Sequence, residues 1–455
     1  MQVLLVSPAF RGHARGLPLG LAHLGAVLES NGFEVYCIDI AAQNLSRSDF
    51  VGLLEKLRPD VVGITAVCAN YLDAIDVVSL TRQVLGPFTK IVIGGPHVSF
   101  GAETVLSHHD DVDVCVIGEG ELTIVNLMHQ FAGREVKLDE VSGVAFKVSG
   151  RIVYTKPNPQ ISDLDTLPWP ARHLFNTRNY PSTISPLVEN ASKNTELIAS
   201  RGCPYPCEFC STKEFWGKKY RRRSPAHVIS ELSYLVSLGY TDLYFDDDIF
   251  TIERKWVVEL CDLIVDYGLP IRWACGTRVD RIDLQLLLKM KQSGCRYIYF
   301  GVESGDEAII DLQRKKASTI QAESAFDLMR EAGIYSSAAL IFGLPGETLE
   351  TAKQTVDWVR DVVRPDELWI SKACCYPGTP LARKYGITAE DYEMRVDGRC
   401  GKGWLYGSGG IYTPFFNNNE LVIHIWDYIH DELGHLDLGF GDELEPYVPS
   451  VKCAS

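Results

Sequence analysis

The sequence has no long apolar run. Among its 455 residues, no such run approaches the ~18 residues that a membrane-spanning helix needs. Met1 leads directly into the apolar residues 2–6, without the charged and then apolar leader or the small-residue cleavage site of an exported protein. These absences predict a cytoplasmic protein that has no membrane partner.

An excess of positive charge is also missing. Lysine and arginine number 44 against 59 aspartate and glutamate residues, which gives a formal charge of −15. This balance argues against a nucleic acid or an anionic membrane as the main ligand. The one exception is the basic run at residues 218–223, for which a solvated loop is favoured over an RNA site.

The cysteines lack the arrangement of a disulfide framework. There are 13, an odd number, and they are spread unevenly over a long chain. Small secreted folds instead carry a dense and usually even set of cysteines. The sequence therefore predicts a reducing compartment.

Three of the cysteines nevertheless form a pattern. Cys203, Cys207 and Cys210 stand in a Cys-x3-Cys-x2-Cys array, just after an apolar stretch at 197–199 that is typical of a strand. A structural zinc site uses four protein ligands, and a cluster that only carries electrons usually uses four cysteines. No His or Cys follows closely enough to be an obvious local fourth ligand, and three ligands on a four-iron cluster leave one iron open. A zinc or ferredoxin-like loop and three buried thiols are the alternatives.

The array, with Phe209 just before its last cysteine, resembles the Cys-x3-Cys-x-aromatic-Cys signature of the radical S-adenosylmethionine (SAM) superfamily. The resemblance implies that the three cysteines are catalytic ligands of a 4Fe-4S cluster and that Phe209 lies beside the cofactors. In that family the open iron chelates the amino and carboxylate groups of SAM. An electron from the cluster then cleaves a sulfonium carbon–sulfur bond.

In the first half of the chain, short apolar strands alternate with helical stretches. The expected strands are residues 2–6, 33–40, 60–65, 90–95 and 112–117. This alternation predicts a doubly wound, Rossmann-like parallel sheet. Such sheets bind ligands beyond the carboxyl ends of their strands, where the glycine turns at 94–95 and 118–120 lie.

The stretches 17–22, 94–98 and 118–121 resemble the cobalamin-binding domain that precedes many radical SAM domains. The resemblance implies a set of cofactor-binding residues in the glycine turns: Gly94, Gly95, His97, Gly118, Glu119 and Gly120. The Asp-x-His-x-x-Gly motif, whose His ligates cobalt in several cobalamin enzymes, is absent. This absence leaves open a domain that keeps the fold without the cofactor, and His97 taken alone is more often a hydrogen-bonded turn residue than a metal ligand.

The second half repeats the alternation. Strands are expected at residues 197–200, 243–245, 271–274, 297–300, 337–342 and 367–373. Six strand–helix units are fewer than the eight of a closed barrel, and an open, partial (β/α)6 barrel is the fold shared by radical SAM enzymes. The expected domains are a cobalamin-binding-type domain at 1–140, a connector at 141–195, the barrel at 196–385 and a small substrate-covering region at 386–455.

The resemblance also implies SAM-binding residues after the strands of the barrel. These are Asp246, Asp247, Asp248, Arg278, Glu303, Ser304, Gly343 and Gly346. Two of these assignments have structural alternatives. A helix cap accounts for at least one of the aspartates, and a salt bridge explains Arg278 as well as a cofactor or substrate contact does.

Paired cysteines end the sixth strand of the barrel, where relatives more often carry Thr, Ser or Pro. Because successive strand residues face opposite sides, one of Cys374 and Cys375 could point inward and the other into the helices. The alternative is a substrate site next to Tyr376. In that site the two thiolates, with Cys400, would hold a thiophilic substrate or quench an intermediate.

The leading hypothesis is a biosynthetic radical SAM methyltransferase, in which cobalamin supplies a methyl group to an unactivated carbon of a small molecule. One alternative is transfer of the aminocarboxypropyl group of SAM to a thiophilic substrate such as arsenite, held by Cys374 and Cys375. The others are radical rearrangement or ring formation and, of another class, a non-enzymatic iron–sulfur scaffold or sensor. The expected partners are the small-molecule substrate and an electron donor such as flavodoxin or ferredoxin.

Replacing Cys207 with Ala tests the cluster assignment. We expect the anaerobically reconstituted variant to lose reductive SAM cleavage, because the cluster then lacks one of its three thiolates. Deoxyadenosine released after addition of dithionite measures the activity. Undiminished cleavage by Cys207→Ala would mean that the array is not the catalytic site.

Overall fold

The computed structural model describes residues 1–8, 16–177, 180, 193–393, 428, 432 and 437–440. Two seven-stranded sheets follow one another along this part of the chain. An irregular, proline-rich segment joins them and packs its apolar residues Leu164, Leu167 and Phe175 against the first sheet's helices.

Residues 2–154 build the first sheet. Its strands are β1 (Gln2–Ser7), β2 (Glu34–Asp39), β3 (Val61–Thr65), β4 (Lys90–Gly94), β5 (Val114–Val116), β6 (Val144–Val148) and β7 (Arg151–Tyr154). Its helices are α1 (Leu19–Ser30), α2 (Arg47–Leu57), α3 (Tyr71–Leu85), α4 (Pro96–His108) and α5 (Glu121–Ala132). The strand order is β2-β1-β3-β4-β5-β6-β7, with β1 to β5 parallel.

Helices cover both faces of this sheet. Alternate residues of each strand point to opposite faces, and the apolar residues on each face pack against the helices there. Leu5 and Val61 face one side and pack with residues of α1 and α5. Leu4 and Val62 face the other and pack with residues of α2, α3 and α4. Burial on both faces explains why these strands read as continuous apolar runs, and the doubly wound sheet is confirmed.

The first sheet extends beyond residue 140, where the sequence places the end of the domain. β6 pairs antiparallel with β5, with Val144 opposite Val116, and β7 pairs antiparallel with β6. The sequence assigns these residues to the predicted connector, because the local pattern of the two strands does not specify which sheet edge they join.

The second sheet is entirely parallel. Its strands are β8 (Asn194–Leu197), β11 (Asp242–Phe245), β12 (Arg272–Arg278), β13 (Cys295–Glu303), β14 (Tyr335–Phe342), β15 (Glu367–Lys372) and β16 (Asp437–Phe440), in the order β16-β15-β14-β13-β12-β11-β8. The short strands β9 (Ser200–Arg201) and β10 (Arg221–Arg222) pair antiparallel beside it. The helices are α6 (Thr212–Trp216), α7 (Pro225–Ser237), α8 (Arg254–Asp266), α9 (Leu284–Gln292), α10 (Glu307–Leu312), α11 (Thr319–Ala332), α12 (Leu349–Trp358), α13 (Pro380–Tyr385) and α14 (Glu390–Glu393).

The sheet has an outer face covered by helices and an inner face that lines a lumen. Trp273, Phe300 and Leu340 pack with the helices in the largest hydrophobic cluster. Tyr297 belongs to a separate cluster with Ala274 and three further tyrosines on the inner face. The six expected strands of the open barrel are present.

A seventh strand, β16, comes from the region that the sequence predicts as a substrate cover. It pairs parallel with β15, with Asp437 opposite Glu367. Four residues that include a glycine are too short a pattern to identify a strand.

Among the described helices, none is both long and apolar enough to cross a bilayer.

Candidate active site

The cluster loop, defined as residues 203–210, follows β9 at the mouth of the barrel. Gly202 leads into it with a φ of +93°. A Cβ at Gly202 would lie 2.6 Å from the carbonyl oxygen of Lys219, so that the turn requires glycine. The pairing of β9 with β10 therefore fixes where the loop begins.

Cys203, Cys207 and Cys210 lie on this loop, partly exposed and near enough to interact electrostatically with one another. Burial raises the pKa of Cys203 to about 12 and raises the pKa of the other two thiols. Backbone N–H groups of Tyr205 and Thr212 support the Cys203 and Cys210 sulfur atoms. A thiol loses its proton when it binds iron, so binding of the cluster releases protons.

A zinc site is the alternative to a cluster at the three thiols. Among the residues that the structure describes, no group of three His, Cys, Asp or Glu side chains is arranged around one metal position. A zinc ion needs four ligands around a single point. Thiolates of an iron–sulfur cluster bind different irons and stand further apart.

Neighbouring elements hold the outer side of the cluster loop. The guanidinium group of Arg278 stacks 3.7 Å from the ring of Tyr205, and Arg281 Nε donates to its hydroxyl at 2.5 Å. The backbone N–H of Glu208 donates to the Gln313 carbonyl at 3.0 Å. Arg278 also bonds Asp280 Oδ1 at 2.8 Å. The structure thus places Arg278 in a salt bridge that supports the loop, which is the structural alternative for this residue.

The three aspartates after β11 have different surroundings. Asp247 accepts hydrogen bonds from the Ala199 N–H at 3.1 Å and from the Ser200 hydroxyl, and burial raises its pKa to about 7. Asp248 accepts from the Gly202 N–H at 3.3 Å and so ties β11 to the cluster loop. Neither Asp247 nor Asp248 is therefore fully available to a ligand.

Asp246 is exposed by surface area, yet burial raises its pKa. Both statements hold for a carboxyl group on a cavity wall, which solvent reaches although protein atoms surround it. Glu196 on β8 interacts with it, and burial followed by the Asp246 charge raises the pKa of Glu196 to about 8. Asp248 is likewise exposed and lies within electrostatic range of Cys203 and Cys210. Glu196 is a residue beside Asp246 that the sequence did not indicate.

After β13, Glu303 and Ser304 point in different directions. Glu303 has a φ of +74° and accepts a 2.5 Å bond from the buried Lys315 ammonium group, which lies near Cys207. The Ser304 hydroxyl lies 3.4 Å from Thr355 Oγ1 on α12 and accepts from the Asp306 N–H at 3.1 Å. Glu303 thus faces the cluster side, whereas Ser304 stabilises the turn into α10.

The glycines after β14 form a tight turn. Gly343 and Gly346 both have a φ of +92°, which only glycine adopts without strain. The Gly343 N–H donates to the Glu347 carboxylate, and burial raises the pKa of that carboxyl group to about 8. This geometry is compatible with the predicted SAM-binding role of the two glycines. The Glu347 carboxylate stabilises the turn.

In the first domain, the glycine turns lie at the carboxyl ends of β4 and β5. Gly95 has a φ of +105°, and a Cβ there would lie 2.6 Å from the Ala66 carbonyl oxygen. His97 is fully buried, stacks on Tyr71 at 4.0 Å and places Nδ1 3.4 Å from Cys68 Sγ. Burial lowers the pKa of His97 to about 4, so its imidazole is neutral and packed inside the domain.

The Glu119 carboxylate joins the two domains. Arg201 donates to it at 2.9 Å and to Glu121 at 2.5 Å, and Arg221 donates to both Glu119 oxygens at 2.8 and 2.9 Å. All four side chains of this interdomain ion network are buried. Arg201 lies two residues before the cluster loop, so the network fixes that loop against the glycine turn at 118–120. The two charges on Glu119 and Glu121 more than offset the effect of burial and raise the pKa of Arg201.

Comparison with known proteins identifies both halves of the chain. A B12 binding domain matches residues 4–128, and the Radical SAM superfamily matches residues 197–359. An uncharacterized methyltransferase of Pyrococcus horikoshii is 32% identical over 84% of this chain and 82% of its own length. The chain belongs to the cobalamin-binding radical SAM family.

Other relatives are also similar over most of the chain. An anaerobic magnesium-protoporphyrin IX monomethyl ester cyclase of Cereibacter sphaeroides is 30% identical, over 86% of this chain and 65% of that protein. The cobalamin- and [4Fe-4S]-bound methyltransferase TsrM of Kitasatospora setae has a TM-score of 0.70 at 20% identity and covers 84% of this chain and 74% of its own. The latter likeness shows the fold. The predicted cofactors, a 4Fe-4S cluster, SAM and cobalamin, are those of the family.

The residues of this radical SAM chain fit the cluster, and the glycine turn at 118–120 is open at Gly118. Three thiols share one loop with N–H donors. At Gly118, with a φ of +75°, a Cβ would meet no atom within 4 Å, so the turn is open toward the carboxyl edge of the sheet. Glu119, by contrast, is occupied by two arginines and is a positioning residue rather than a cofactor contact.

Cys374 and Cys375 have different surroundings. Cys375 is buried with Leu381 and Ile387, and Phe209 of the cluster loop packs against the same cluster. Cys374 lies within electrostatic range of Cys68 at the end of β3. Cys374 is also within electrostatic range of Cys375, and Cys400 lies outside the described residues. Tyr376 contributes its carbonyl oxygen, which accepts from Thr379.

Replacing Glu119 with Gln tests the interdomain ion network. We expect the free energy of unfolding to fall by about 3 kcal/mol, because removing one partner of a buried ion pair leaves the other uncompensated. The measurement is urea unfolding at pH 7. As control, Glu103→Gln removes an exposed charge on α4 and is expected to change stability by less than ~0.5 kcal/mol. Equal stability of the two variants would contradict the network's role.

Proposed function

We propose that this protein is a cobalamin-dependent radical SAM methyltransferase that acts on an unactivated carbon of a small molecule. The observation that carries the proposal is that segments at the carboxyl ends of the two sheets pack against each other. Cys68, after β3, lies beside Cys374, after β15. Gly378 packs against the ring of Phe100, and Gly101 packs against Ala389.

This arrangement suits methyl transfer because a methyl donor and a radical must meet at one substrate. When bound, the cluster with SAM supplies a carbon radical and cobalamin supplies the methyl group. The chain's own residues position these groups. The cluster loop is held by the hydrogen bonds of Tyr205 and Glu208. In this proposal Asp246 and Glu303 contact SAM, and the packing of the two domains would exclude water from the reaction.

The overall reaction balances with two molecules of SAM and two electrons. One SAM yields methionine and 5′-deoxyadenosine, which carries the hydrogen atom removed from the substrate. The other yields S-adenosylhomocysteine and the methyl group of the product. The electrons come from a donor of the flavodoxin or ferredoxin class, and the proposed location is the cytoplasm.

A second candidate is radical ring formation, which the 30% identity to the protoporphyrin ester cyclase favours. It shares the cleavage of SAM and differs in consuming no methyl group. Transfer of the aminocarboxypropyl group to a thiophilic substrate has less support, because Cys375 is packed into a hydrophobic cluster. A nucleic-acid partner is not part of the proposal.

Product analysis after anaerobic reconstitution distinguishes these functions. With cobalamin, SAM and a strong reductant, we expect 5′-deoxyadenosine together with S-adenosylhomocysteine and methylcobalamin. Deoxyadenosine without S-adenosylhomocysteine would favour ring formation. Methylthioadenosine would indicate aminocarboxypropyl transfer, and failure to retain a corrin would reject methylation.

A further inference from the structure

We propose that the exposed cations around the outer side of the cluster loop form the docking face for an acidic one-electron carrier protein. This set is called the cationic rim and consists of Arg281, Arg314, Lys316, Lys218, Lys219 and Arg383. The inference rests on the cluster assignment within the proposed function, and it is independent of which group the enzyme transfers.

Five of the six rim residues have a contact that places them at or near the cluster loop. The Lys316 carbonyl oxygen accepts from Arg278, which stacks on Tyr205. Arg281 bonds the Tyr205 hydroxyl, and Arg314 Nη1 bonds Glu208 at 3.2 Å. Arg383 Nη1 lies 3.3 Å from the Glu214 carboxylate, just beyond the loop. On the opposite flank, the backbone of Lys219 runs against Gly202. The cations therefore approach the loop from several sides.

The rim presents positive charge outward although acidic residues lie among it. The Arg281, Arg314 and Arg383 side chains are between 42% and 62% exposed. Their acidic neighbours, Asp280, Glu208 and Glu214, are only between 13% and 25% exposed.

The lysines add further exposed positive charge, since Lys218, Lys219 and Lys316 are all exposed. Two acidic residues are also exposed near the loop: Asp311, beside Arg314, and Asp248, which accepts from the Gly202 N–H. The surface over the loop is therefore cationic on a chain whose formal charge is −15.

The position of the rim favours an electron carrier over a nucleic acid. The loop beneath it carries the three thiols, and Pro204 is exposed on the loop itself. A carrier that docks here brings its redox group next to the centre that must be reduced. Complementary charge guides such encounters and raises their rates by 10-fold or more.

The proposed step at this face is the transfer of one electron from the carrier to the cluster. A flavodoxin in its hydroquinone state gives up one electron and becomes the semiquinone. The 4Fe-4S cluster passes from the 2+ to the 1+ state. No atom is transferred, and no further oxidant or reductant is needed.

The test uses Lys218→Glu, Lys219→Glu and Lys316→Glu combined in one variant. These side chains are exposed, so the bonds of Arg281 and Arg314 to the loop remain. We expect cluster reduction by hydroquinone flavodoxin, followed by stopped-flow absorbance at low salt, to slow at least ~10-fold. In the wild-type protein the same rate is expected to fall as salt is added, whereas reduction by dithionite stays equal in both proteins.

The matched control is Lys56→Glu, Arg134→Glu and Arg151→Glu, which reverses three exposed cations of the first domain. Its reduction rate with flavodoxin is expected to stay within about twofold of wild type. Equal rates for the rim variant and wild type would overturn the proposal, as would an equal slowing in the control. Loss of tRNA binding by the rim variant at an unchanged flavodoxin rate would assign the rim to RNA instead. Because the assay contains neither substrate nor cobalamin, failure of the methylation proposal leaves its result interpretable.

Discussion

The interdomain ion network is the contact on which the arrangement of the molecule depends. Two carboxylates from the glycine turn of the first domain meet two arginines that flank the start of the cluster loop. Buried charges are costly to desolvate and are tolerated only when they are fully paired. The pairing has a narrow geometric tolerance, so it holds the edge of the first sheet and the cluster loop in one relative position.

This constraint brings the carboxyl ends of the strands of the two sheets together. Each sheet places its loops at the carboxyl ends of its strands. The segment after β15 then packs on α4 through Gly378 and Gly101, which brings the two edges together. In the proposed reaction, a radical formed at one edge would be close to the group that the other edge holds.

Local patterns in the sequence were sufficient to predict the strands and the cluster. Both faces of the first sheet are buried, which gives apolar runs that are easy to recognise, and the spacing of Cys203, Cys207 and Cys210 is specific in itself. Long-range partners were not predictable in this way. From the sequence, Glu119 is interpreted as part of a cofactor-binding turn. The two arginines that it binds lie 82 and 102 residues away in the sequence. Lys315, Glu196 and the strand β16 also lack a local signal, and the burial of His97 depends on the packing of Tyr71 from another helix.

The most direct test of the shared active site is the magnetic interaction between the two cofactors. The enzyme is loaded with cluster and cobalamin and reduced so that the 1+ cluster and cobalt(II) coexist, and pulsed electron paramagnetic resonance measures their coupling. The structure predicts a defined dipolar coupling in the wild-type enzyme. Two signals without measurable coupling would contradict the account, because the two edges would then not meet.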